Sequence, residues 1–197
     1  MSERIYTVGN MVKIPDTTLC CKHLNSCEIV FVGKMDYEPN VVAVSNFVQN
    51  IFPLLLPVFP DLKFIVVGTH PDMKVRRLKS DRVIITGFVD SVEPYFQNAA
   101  IVIAPMLTGA GIQNKITQAM SYGCCVATTS IGAEGLSIRN NEIAIFNDDQ
   151  SWVDGLSSLL INFDRRVKMG LAARDYVIRN LSYENIEKQF WLFMDGK

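Results

Sequence analysis

Five short runs of β-branched and apolar residues, each followed by a turn signal, constrain this chain more than any other feature. They are EIVFVG from Glu28, KFIVVG from Lys63, RVIITG from Arg82, AIVIAP from Ala100 and CCVATT from Cys124. They show little of the polar-apolar alternation expected of a strand wet on one face. Such strands belong to sheets covered on both sides, the condition met by a parallel α/β sheet. Helical spacing fills the gaps. From Val41 to about Leu56, residues Val44, Phe47, Val48, Ile51, Phe52 and Leu55 share one face, as in a helix packed on a sheet. SVEPYFQNA from Ser91 reads as a shorter helix. From Ser151 onward the patterns are helical only: SWVDGLSSLLINF, with Ser151 as its cap, then DRRVKMGLAARDYVIRNL and YENIEKQFWLFM. The order β-α-β, two close strands, β-α-β and a helical tail predicts a doubly wound sheet with its ligand at the carboxyl ends of the strands. Residues 1–27, irregular apart from a candidate strand at RIYTV, read as a linker region, and 28–197 as the domain.

At 197 residues the chain is long enough to bury its own core. Its 19 basic and 20 acidic residues give a net charge of -1, which points neither to nucleic acid nor to an anionic membrane surface. A phosphate ligand must therefore be met locally. The longest apolar run, IFPLLLPVFP from Ile51, is interrupted by Pro53, Pro57 and Pro60 and is too short for a transmembrane span. The N-terminus shows no apolar signal region, so a cytoplasmic location is expected. Five cysteines imply no disulfide framework. Cys20, Cys21, His23 and Cys27 lack the paired knuckles of a zinc site and read as reduced thiols; no metal or cofactor is expected.

Gly33, Gly68 and Gly87 close three of the strands, and Gly109 and Gly111 follow a fourth. Singly, each reads as a turn glycine; on one sheet edge they form a crevice where backbone N–H groups can approach a ligand. Gly109, Ala110 and Gly111 lead into a helix predicted over residues 112–122, stopped by Gly123. Its spacing turns Ile112, Ile116, Ala119 and Met120 to the sheet and leaves Asn114, Lys115 and Gln118 on the other side. The helix dipole disfavours a lysine in the first turn unless an anion binds there. A solvated lysine is the alternative.

These segments resemble the two-domain nucleotide-sugar glycosyltransferases of group 1 (family 4). The similarity runs in order through VGKMDYEPN, FIVVG, VIITGFVDSVEPYFQNAAIVIAP, GAGIQNKITQAMSYGCCVATTSIGAEGL and AARDYVIRNLSYENI, over about residues 28–190. It implies the Rossmann-like, donor-binding C-terminal half of such an enzyme, which holds a nucleotide sugar for transfer to a glycan or lipid-linked acceptor. Carried over, the base lies against the backbone of Gly87, Phe88 and Val89, and the diphosphate near Gly33, Lys34 and Lys115. The sugar faces Gly109, Ala110, Gly111, Ile112 and Gln113, with Glu134 nearby as a ligand or as a solvated turn residue. Lys115 and Gln118 are the candidate catalytic positions.

Two departures stand out. The family's usual pair of glutamates falls at Ala110 and Gln118. An amide at 118 offers one acceptor and one donor group where a carboxylate would accept from both ribose hydroxyls. A non-catalytic nucleotide-sugar-binding or structural module of the same fold therefore stays open as an alternative. The resemblance also places an acceptor-binding domain ahead of RIYTVGN, which is expected as a partner missing from this chain. A dehydrogenase-type domain is excluded, because GKMDYEPN lacks the GxGxxG of a dinucleotide fingerprint. In the tail, Ile186, Phe190, Phe193 and Met194 recur at helical spacing beside Trp191. That stripe is expected either to pack wholly on its own domain or to be left uncovered for a second copy of the chain.

Overall fold

A computed structural model describes residues 10–16, 26–109, 111–138 and 141–194. The candidate strand RIYTV, the cluster Cys20, Cys21 and His23, and Ala110 lie outside the described residues.

All five apolar runs are strands: β1 (Glu28–Val32), β2 (Lys63–Val67), β3 (Val83–Gly87), β4 (Ile101–Ala104) and β5 (Val126–Thr128). A sixth, β6 (Ala144–Ile145), is only two residues long and carries no periodic signal. The sheet is parallel throughout, in the order β3-β2-β1-β4-β5-β6. The chain steps from β1 outward to β3, then returns to the other side of β1 as β4 and steps outward again. The reversal leaves a crevice beyond the carboxyl ends of β1 and β4, where an open α/β sheet takes its ligand.

The first helical segment starts earlier than its apolar stripe suggests, as α1 (Glu38–Asn46), because Pro39 suits a first helical turn. It continues through a π-helical turn, Phe47–Ile51, into α2 (Phe52–Leu55). Pro53 has no N–H to give and its ring crowds the preceding turn, so the helix widens there, with Phe52 N–H reaching Phe47 C=O. Two short helices, α3 (Met73–Arg76) and α4 (Glu93–Asn98), follow β2 and β3. The helix after β4 is α5 (Asn114–Ser121), with Tyr122 and Gly123 beyond its end.

Helices α6 (Asp149–Ile161), α7 (Phe163–Leu181) and α8 (Tyr183–Met194) form the tail. The cap of α6 is Asp148, not Ser151. Ser151 sits three residues in, and the two side chains satisfy each other's backbone N–H groups in a capping box. Trp152 anchors α6 edge-on against Phe47, at 6.2 Å between ring centroids, and Phe146, at 5.2 Å. Phe47 in turn meets Phe64 of β2 at 4.7 Å. Arg166 of α7 is 2% exposed and donates to the carbonyls of Leu159 and Leu160 at the end of α6. On α8, Ile186 is buried while Phe190, Trp191 and Met194 are exposed; the side chain of Phe193 lies outside the described residues. Among the described residues, no helix is long and apolar enough to cross a membrane.

Candidate functional site

The loops after β1 and β2 are bound to each other along the crevice. Gly33 N–H donates to Val67 C=O and Met35 N–H to Thr69 C=O, both at 2.9 Å, and Asp72 N–H returns to Met35 C=O at 3.0 Å. The approach is close enough to require glycine, since a Cβ on Gly68 would stand 1.6 Å from the carbonyl oxygen of Gly33. Together with the loop after β3 they enclose a slot of about 210 Å³ lined by Val32, Gly33, Lys34, Val67, Gly68, Thr69, Phe88, Val89 and Val92. Gly87 ends β3, and the next residue, Phe88, lines the slot and is 72% exposed. The slot thus combines apolar walls, backbone polar groups and one free aromatic face.

On the other side of the switch point, Thr128 Oγ1 donates to Ala104 C=O and Thr129 Oγ1 to Met106 C=O, both at 2.6 Å. These bonds fix the end of β5 to the chain leaving β4. Lys115 lies over this junction. Contrary to its expected place on the polar face, it turns back toward the sheet, because a long lysine stem can lie along apolar surface while its head reaches polar partners. Its ammonium donates to Asn40 Oδ1 at 2.7 Å and Gln113 Oε1 at 3.2 Å, lies 3.6 Å from Met106 Sδ and stands 5.4 Å from the centroid of the Phe31 ring. Burial lowers its pKa from 10.5 to about 8. Lys34, in contrast, is exposed and paired with Asp36 at 3.6 Å.

Gln113 caps α5 only through its carbonyl, which accepts from Ile116 and Thr117; its side chain makes no cap bond. Gly109, Gly111 and Ile112 lead into it. The turn carrying Glu134 abuts this loop, where a Cβ on Gly135 would lie 3.0 Å from Ile112 Cγ1, and Glu134 itself is exposed.

Gln118 is exposed and lies elsewhere, in a polar groove of about 820 Å³ lined by residues 10–16, Glu93, Asn114, Thr117, Gln118 and Tyr122. The segment 10–16 is held over it by Val12 N–H to Leu181 C=O at 2.9 Å, Arg174 to Pro15 C=O at 2.6 Å, and Asn10 to Asn114 at 3.2 Å. Burial raises the pKa of Tyr122, and the nearby Glu93 carboxylate adds to the rise.

The structure therefore brings together Gly33, Lys34, Phe88 and Val89 in one slot, and Lys115 with Gln113. It sets Gln118 in the groove beyond them. Asn40 and Glu93 escaped the sequence reasoning. Asn40 had a readable signal, being the polar member of the stripe Asn40, Val44, Phe47 and Ile51 at helical spacing. Cys27 is exposed, whereas Cys124 and Cys125 are buried in the core. Among the described residues, no cluster of three His, Cys, Asp or Glu is placed to hold a metal ion.

A parallel doubly wound sheet with its crevice at the β1/β4 switch point defines a Rossmann-like α/β domain. The chain belongs to the group 1 glycosyl transferases, whose family model matches residues 26–162. It is 23% identical over 173 residues to an uncharacterized 44.6 kDa protein in the cps region of Klebsiella pneumoniae, covering 83% of this chain and 45% of that protein. Among solved structures it is similar to a point mutant of S. aureus TarM in complex with UDP, fondaparinux and alpha-GlcNAc-glycerol, with a TM-score of 0.78 at 18% identity over 96% of this chain and 39% of TarM. Anabaena Alr3699/HepE in complex with UDP gives 0.69 at 13% identity over 88% of this chain and 50% of that one. The C-terminal domain of the Francisella tularensis group 1 glycosyl transferase LpcC gives 0.64 at 20% identity over 79% of this chain and 87% of that domain. The chain thus spans under half the length of the curated relative and of TarM.

Proposed function

We propose that this domain binds the nucleoside diphosphate of a nucleotide-sugar donor for glycosyl transfer. The observation that carries the reading is the half-buried Lys115 ammonium at the β1/β4 switch point, held by neutral partners. Such a charge is costly to desolvate and is matched by an anionic ligand at the same edge. On this reading the base enters the slot beside Phe88 and meets the backbone of Gly87 and Val89. The diphosphate lies over Gly33, Lys34 and Lys115 at the start of α5. Gln118 would meet the ribose from the groove, which neighbours the slot in the chain at Val92 and Glu93, and the sugar faces the loop 109–113 with Glu134 at its rim. The UDP-bound relatives TarM and HepE support the ligand class.

In the transfer step, the bond from the sugar's anomeric carbon to the diphosphate oxygen breaks, and its electron pair stays on that oxygen. An acceptor hydroxyl forms the new bond, and its proton passes to the departing diphosphate or to water. Lys115 and the open start of α5 face the charge that develops on the leaving diphosphate, the place where preorganised positive groups lower a barrier. The domain's own charge performs this task, so the reading calls for no cofactor. Residues 28–197 serve as the donor domain, and a separate acceptor-binding domain is the proposed partner. The amide at 118 favours a second reading, a non-catalytic nucleotide-sugar-binding module. Titration calorimetry with uridine, adenosine and guanosine diphosphates and their sugar conjugates tests the donor reading. Saturable heat with at least one is expected, and none with any would refute it.

A further inference from the structure

Asn40 joins the two sides of the crevice through one side chain. It lies in the first turn of α1 and is 4% exposed. Its Nδ2 donates to the carbonyl of Lys34 at 2.9 Å, and its Oδ1 accepts from the Lys115 ammonium at 2.7 Å. The space is fitted to it from behind, since a Cβ on Gly33 would stand 2.8 Å from Asn40 Nδ2. An amide carries its donor and its acceptor on separate atoms, so it can serve one partner on each side of the crevice at once. Aspartate could accept from Lys115 but would bring a second acceptor to the Lys34 carbonyl and a negative charge to the lysine. Alanine would leave both partners unmatched.

We propose that Asn40 is a positioning residue for the anion site, fixing the Lys115 ammonium and the Gly33–Lys34 loop relative to each other as a neutral acceptor that leaves the lysine's charge available to a diphosphate. The role rests on the donor reading above. Around the ammonium, Phe31 of β1, Met106 after β4 and Gln113 before α5 are uncharged. The charged side chains of the adjoining loop, Lys34 and Asp36, pair with each other at 3.6 Å. Asn40 therefore decides whether Lys115 meets a neutral partner or a competing anion.

The test compares the wild-type chain with Asn40→Ala and Asn40→Asp, titrated with whichever of uridine, adenosine or guanosine diphosphate binds and with the matching nucleoside, at fixed ionic strength from pH 7 to 9.5. Both variants should lose roughly tenfold in diphosphate affinity and keep their nucleoside affinity. In Asn40→Asp, the pH at which diphosphate binding weakens should also move up, because a carboxylate beside Lys115 keeps it protonated. A purely structural defect would not move that midpoint. Unchanged diphosphate affinity and midpoint in both variants, or equal losses for nucleoside and diphosphate, overturn the proposal. If either variant loses its near-ultraviolet circular dichroism, the wild-type side-chain amide resonance of Asn40 provides the readout. It should shift with diphosphate and not with nucleoside; an unmoved signal overturns the role. Failure of the wild-type chain to bind any diphosphate removes the donor reading itself, a different result from either.

Discussion

The pH dependence of diphosphate binding follows from the state of Lys115. Burial lowers its pKa to about 8, so the ammonium is mostly charged at pH 7 and mostly neutral at pH 9. An anion binds the charged form. Affinity is therefore full below the folded pKa and falls as pH rises through it. With a pKa of about 8 the charged fraction drops about tenfold between pH 7 and pH 9, and Kd should rise by about the same factor, near 1.4 kcal/mol. The terminal phosphate cannot mimic this trend, because it titrates near pH 6 and only gains charge above pH 7, and the nucleoside titrated in parallel separates any ionisation of the base from that of the lysine. The unliganded fold should show the opposite slope. Between 8 and the ordinary 10.5 the unfolded chain holds a proton that the folded chain has released, so stability rises with pH in that window. Calorimetric titrations with the diphosphate and its nucleoside at pH 7, 8 and 9, alongside Lys115→Ala, check the account. The variant should bind diphosphate roughly tenfold to a hundredfold more weakly at pH 7, as expected for loss of a charge-assisted hydrogen bond, and show a flat profile. A flat wild-type profile would refute the reasoning.

Three further outcomes are expected. Gln118→Glu should tighten nucleoside diphosphate binding by roughly fivefold to tenfold if residue 118 meets the ribose, since a carboxylate accepts with charge assistance; unchanged affinity would make it a solvated side chain. Gly68→Ala should destabilise the fold by about 2 kcal/mol or more in urea denaturation, because its Cβ would stand 1.6 Å from Gly33 O and backbone must move; a loss below about 0.5 kcal/mol would contradict the close approach of the two loops. We also propose that α8 pairs two copies of the chain through the exposed Phe190, Trp191 and Met194. Sedimentation velocity should then show a dimer that Trp191→Lys converts to monomer, and a wild-type monomer at high concentration would dismiss the pairing.

The sheet was legible because buried parallel strands have a composition of their own. Val30, Phe31, Phe64, Ile65, Val66, Ile101, Val102, Val126 and Ala127 are all buried, and no polar alternation was available to imitate another class. Strand β6 was not legible: Ala144 and Ile145 are too short a run to carry a period, and what defines them as a strand is their pairing with Ala127 and Thr128 of β5. The start of α6 was misread by three residues for a different reason. A capping box uses two polar residues in reciprocal bonds, and Ser151 satisfies Asp148 N–H as Asp148 satisfies Ser151 N–H. Sequence alone does not say which of the two is outside the helix.

The site was legible as a set of loops and not as a set of contacts. Glycines placed the crevice, because close backbone approach leaves a mark on composition. The direction of Lys115 left none. Helical spacing puts it on the polar face with Asn114 and Gln118, and a flexible stem can leave that face whenever a partner waits on the far side. Its partner, Asn40, lies far away in the chain on a different helix. A polar residue in an otherwise apolar stripe nevertheless carries information, since burying an amide without partners costs about 1–3 kcal/mol and the fold must supply both a donor and an acceptor for it. In this chain the Lys34 carbonyl and the Lys115 ammonium are those partners. The requirement to satisfy Asn40 therefore accounts physically for the turning of Lys115 toward the switch point, against the direction its helix position suggests.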